Sequence, residues 1–116
     1  MKKVAYALAG ALAAGVIGSV LAPTATAAAG MANQDTVFVT LCESNGIYNA
    51  EGPAVEARVG ETIANDLANG IDPVVERNNI YAITNRTITM RDANVMVNAA
   101  GVAYLGWALT PSGPTA

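Results

Sequence analysis

Glu56, Glu61 and Asp66 recur at five-residue intervals, and a carboxylate pair is the acid–base chemistry this chain could support. Five residues carry a helix about 140° past a full turn, so consecutive members do not share a face. The expectation is a solvated surface, not a catalytic pair. Arg91 and Asp92 are adjacent and point apart on a helix, and Asp92 belongs at a helix start, where it complements the dipole. The sequence contains no His, which excludes the common zinc, haem-His and Ser-His-Asp arrangements. Its lysines, Lys2 and Lys3, both lie at the extreme N-terminus, so a chain processed beyond them has no lysine base or Schiff-base nucleophile. Tyr48, Tyr81, Tyr104 and Trp107 could line a small apolar pocket. Without convergent polar groups they read as ordinary core and rim. No catalytic, cofactor-binding or metal-ligating residue emerges, and no cofactor is expected.

Cys42 is the single cysteine, so no intrachain disulfide can form. It reads as a small buried hydrophobe, with a homodimer bridged through Cys42 as the alternative.

The elements that position these residues begin with a leader. Lys2-Lys3, an uncharged run from Val4 to Ala22, and Ala25-Thr26-Ala27 form a positive segment, an apolar segment and a small-x-small cleavage motif. A secretory signal peptide over residues 1–27 is expected, cut after Ala27. The apolar run would span about 28 Å as a helix, so an N-terminal membrane anchor is the alternative. Residues 28–34 read as a tether, 35–110 as a helical domain and 111–116 as a disordered tail. Beyond the leader the chain holds four Arg and nine acidic residues, four minus nine giving a net charge of −5. An acidic chain without a basic cluster is unsuited to nucleic acid or to anionic membrane surfaces.

The helices are legible from their punctuation. Asp35 is expected to cap a first helix with Val37, Phe38, Leu41 and Cys42 on one apolar face, ending at Asn45-Gly46. Tyr48 to Gly52 reads as a loop. Pro53 opens a second helix, striped by Val55, Val59, Ile63 and Leu67. It ends at Gly70, where a left-handed residue without a Cβ closes a helix most readily. Asp72 and Pro73 start a third helix, with Val74, Val75, Tyr81 and Ala82 on its apolar face and a break expected near Asn78-Asn79. Ile88-Thr89-Met90 is a weak strand signal. Thr89 with Asp92 resembles a capping box, opening a last helix whose face carries Val95, Met96, Ala99, Ala100, Val102, Ala103 and Trp107. Asn94 and Asn98 fall on its other side. The helix is expected to stop near Leu105, with Gly106 beyond it and Trp107 turning back. An all-α bundle of about four helices is the predicted fold.

In the order Asp35, Phe38 and Leu41, then Asn45-Gly46-Ile47-Tyr48, Leu67-Ala68-Asn69-Gly70, Asn85 to Ala93, and the Ala-rich helix closing at Tyr104, the chain resembles the small exported mycobacterial proteins of the domain of unknown function 732 family. The resemblance covers roughly residues 35–107. That family usually has a Cys six residues before the joint glycine and another directly after the closing tyrosine. Ala64 and Leu105 occupy those positions here, so the family's disulfide is missing. The resemblance implies that Ala64 and Leu105 face each other, with Leu105 filling the space of the sulfurs. It implies no activity, cofactor or partner.

The expected function is that of a small exported, non-enzymatic binding module at the cell envelope, taking an envelope protein as partner. A carrier with a cavity for a small apolar ligand is the alternative.

Overall fold

A computed structural model of the protein describes residues 4–7 and 32–108. In chain order the elements are β1 (Val4–Tyr6), α1 (Asn33–Ser44), β2 (Ile47–Asn49), α2 (Pro53–Ala68), α3 (Pro73–Ile83) and α4 (Met90–Leu105). The expected all-α architecture of four helices is present, joined by one short parallel sheet of β1 and β2. Residues 111–116, read as a tail, and most of the leader, residues 1–3 and 8–27, lie outside the described residues.

Among the described residues α4 packs against the three other helices. Its composition permits this. Ala93, Ala99, Ala100, Gly101 and Ala103 are buried on it, and side chains this small let neighbouring helices approach closely. Asn98, expected to face solvent, is buried with them, because helices cover α4 on more than one side. The Thr89–Asp92 capping box forms as read. The Asp92 N–H donates to Thr89 Oγ1 at 3.0 Å, and the Thr89 N–H to Asp92 Oδ2 at 3.1 Å. Ile88-Thr89-Met90 is accordingly a helix entry and not a strand. At the far end Gly106 is left-handed at φ 77°, and the Trp107 N–H returns to Gly101 O at 3.1 Å. The indole lies where a Cβ on Gly101 would be, 2.0 Å from Trp107 Cε3.

The joint between α2 and α3 closes as a Schellman motif: Ile71 N–H donates to Asp66 O and Gly70 N–H to Leu67 O, both at 3.1 Å. Gly70 takes φ 99°, and Asp72 then caps α3 by accepting from Val74 N–H at 2.8 Å. α2 buries Val59 and Ile63 in the core, while Leu67 is half-buried against it. Leu67→Ala is therefore expected to cost about 1 kcal/mol, below the 2–5 kcal/mol of a fully buried site. Urea denaturation measures it, and a cost near 4 kcal/mol would mean that Leu67 is a full core residue.

Several faces differ from their expected orientation. α1 is entered through Ala32 as N-cap, so Asp35 is inside the first turn and buried. Asn33 and Gln34 are already helical, which shortens the tether read over 28–34. The inward face of α1 is Asp35, Phe38, Val39 and Cys42; Val37 is 41% exposed and Leu41 half-buried. α3 runs without a break at Asn78 and turns Glu76 and Ile80 inward, leaving Val75 46% exposed. Tyr48 and Asn49, read as the start of a loop, belong instead to β2. Leu105 stands 36% exposed at the surface, so it fills no interior space beside the buried Ala64.

Candidate functional site

Two of the three carboxylates of α2, Glu56 and Asp66, are not the solvated surface expected, whereas the Glu61 side chain is 42% exposed. Glu56 and Asp66 have no exposed area, and Glu61 is intermediate. Their five-residue spacing points them to different sides of the helix, and each meets another carboxyl from a neighbouring element. Glu56 faces Glu43 near the end of α1, and Glu61 faces Asp35 near its start. Asp66 faces Glu76 across the α2–α3 joint. Among the described residues an ion pair joins Arg58 Nε to Glu61 Oε1 at 3.8 Å.

A carboxylate is an acceptor only, so two facing carboxyls can hydrogen-bond only when one carries a proton. The oxygens of Asp66 and Glu76 find no donor among ordinary protein groups. Burial above all, with the facing Glu43 adding to it, pushes Glu56 up to about 8. Burial and the facing Asp66 push Glu76 up to about 9, and burial raises Asp66 as well. Glu61 rises to about 7, through desolvation and then through Asp35, with Arg58 opposing. Asp35 also accepts a short hydrogen bond from the Tyr104 hydroxyl, which lies 3.5 Å from Ala57 O. Desolvation, then Asp35, raises the Tyr104 phenol above its ordinary range.

The Glu56 and Asp66–Glu76 carboxyls are enclosed between elements, while Glu61 reaches the surface. Glu56, Asp66 and Glu76 have no exposed area. The aromatic residues do not gather into one pocket. Tyr104 packs on Phe38 with ring centroids 6.3 Å apart, Tyr81 lies under the Arg86 guanidinium at 5.8 Å, and Trp107 covers Gly101. Cys42 is fully buried, as expected, so its thiol has no surface from which to reach a second chain. No group of three or more His, Cys, Asp or Glu placed to hold a metal ion occurs among the described residues. Nor is any helix among them long and apolar enough to cross a membrane.

A second site was not legible from the sequence. β1, from the segment read as a leader, lies parallel to β2 with Val4 opposite Ile47, Ala5 opposite Tyr48 and Tyr6 opposite Asn49. Val4 N–H donates to Gly46 O at 2.6 Å, and Ala50 N–H to Tyr6 O at 2.7 Å. Tyr6 is fully buried in the core, its hydroxyl near Cys42, Asn49 and Glu56. Burial is the main cause that lifts its phenol above the ordinary range.

Compared with known protein families, curated proteins and solved structures, the chain has no match.

Proposed function

We propose that the chain is a small exported helical module that acts by binding at the cell envelope and catalyses no reaction. The observation that carries this reading is the docking of an extended segment, β1, along β2, with one aromatic side chain sunk into the helical core. Main-chain pairing plus a side-chain pocket is a general mode of peptide recognition. The burial of Glu56, Asp66 and Glu76 supports the non-enzymatic half, since a general acid or base must come within hydrogen-bond reach of its substrate. Export is supported by Lys2-Lys3, the apolar run and Ala25-Thr26-Ala27, and by the resemblance to the domain of unknown function 732 family.

N-terminal sequencing of secreted material tests the exported part. The secreted chain is expected to begin at Ala28. Met1 or Lys2 at the terminus of a membrane-bound form would replace this reading with an anchored protein.

A further inference from the structure

We propose that the edge of β2, together with the hole occupied by Tyr6, is a recognition site for an extended peptide bearing an aromatic side chain, masked by the leader until cleavage. The proposal rests on the exported reading, because removal of residues 1–27 takes β1 away.

The occupying segment defines the ligand. Side chains of a strand alternate, and along β1 Val4 is half-buried, Ala5 exposed and Tyr6 fully buried. The site therefore reads every second residue: a modest apolar group, then, two positions on, a ring. The direction is that of the present occupant: β1 runs parallel to β2, with Gly46 O accepting at one end of the strand and Ala50 N–H donating at the other. The inner end of the hole is bordered by Cys42, Asn49 and Glu56, but the buried Tyr6 hydroxyl has no hydrogen-bond partner there, so the hole selects for the ring and not for its hydroxyl. The domain is acidic once the leader is gone, which favours a ligand with basic flanks such as the Lys2-Lys3 pair preceding β1.

Cleavage would leave this surface open. β2 loses its parallel partner, a polar edge of the kind that invites another strand. The hole left by a fully buried tyrosine reaches into the core beside Cys42. An extended peptide repairs both defects at once, and its ring supplies most of the apolar area.

The probe is a labelled synthetic peptide with the sequence of residues 2–8, titrated by fluorescence anisotropy into the full uncleaved chain. In the wild type the tethered β1 competes, whereas Tyr6→Ala empties the hole. The variant is expected to bind the probe at least about tenfold more tightly than the wild type. A peptide carrying the same Tyr6→Ala change should fail to compete. Cys42 supplies an independent readout: a small thiol reagent should modify it faster in Tyr6→Ala, and the probe should restore protection. Val4→Pro is the second variant, removing the donor to Gly46 O while leaving the hole intact.

A helical variant that binds no better than the wild type, or whose Cys42 stays protected, overturns the proposal. Loss of the helical circular-dichroism signal in both variants also overturns it, because Tyr6 would then be a permanent part of the core. Leader cleavage is read by N-terminal sequencing and the groove by titration, so failure of one is distinguishable from failure of the other.

Discussion

Raising the pH from about 5 to about 9 is expected to lower the unfolding free energy by about 3 kcal/mol. Folded Glu61, Glu56 and Glu76 hold their protons up to about 7, 8 and 9 respectively, well above an unfolded glutamic acid. The folded state thus binds more protons than the unfolded state throughout that window, and stability must fall as pH rises. The full contribution is present at or below the unfolded range, about pH 4.5. It is lost as pH climbs through the folded values. Glu61 is partly solvated, so most of the change is assigned to Glu56 and to the Asp66–Glu76 pair. Glu76→Gln separates this cause from general alkaline damage. The amide can donate to Asp66 without borrowing a proton. The variant should flatten the pH profile and be more stable than wild type above about pH 8. Thermal unfolding across the range measures both, and a wild-type profile that stays level or rises with pH would sink the account.

Gly60→Ala should destabilise the protein by about 2 kcal/mol, although alanine is the better helix former by about 1 kcal/mol. A Cβ there would lie 2.5 Å from Phe38 Cδ2, 2.6 Å from Cγ and 2.8 Å from Cε2. Phe38 is fully buried and packed on Tyr104, so its ring has nowhere to retreat. Overpacking of a rigid neighbour then outweighs the propensity gain. Gly101→Ala is the matched comparison, since its overlap is with Trp107, a half-buried ring beyond the helix end. That ring can swing outward, and the cost should be smaller. Chemical denaturation of both variants decides the point. Equal stability of Gly60→Ala and wild type would mean that α1 and α2 are farther apart than described.

What the sequence reveals follows from the range of the interaction concerned. Gly70, Asp72-Pro73, Thr89 with Asp92, and Gly106 act within one helical turn of themselves, and each was legible. The faces of α1 and α3 were not, because partners distant in sequence decide them. Asp35 turns inward because Tyr104, 69 residues later, donates to it. Glu76 turns inward against Asp66 across the joint, where burial and the facing carboxyl favour its protonated form. The rule that carboxylates seek solvent assumes an ionised group, and these pairs evade it by staying partly protonated. Val37, Phe38 and Val39 are consecutive, so helical spacing could not choose between Val37 and Val39. β1 left no signal at all: three residues of an apolar run carry no mark of a partner more than forty positions away.

The central position of α4 has a consequence for the order of events in synthesis. It is the last of the described helices, and each of the other three packs on it. Ile63 and Phe38 cannot be sealed from water until residues near 105 have been added. Domains fold as units, and a growing chain that lacks its final helix lacks the surface that closes the core. This arrangement postpones closure of the core until synthesis has passed the end of α4.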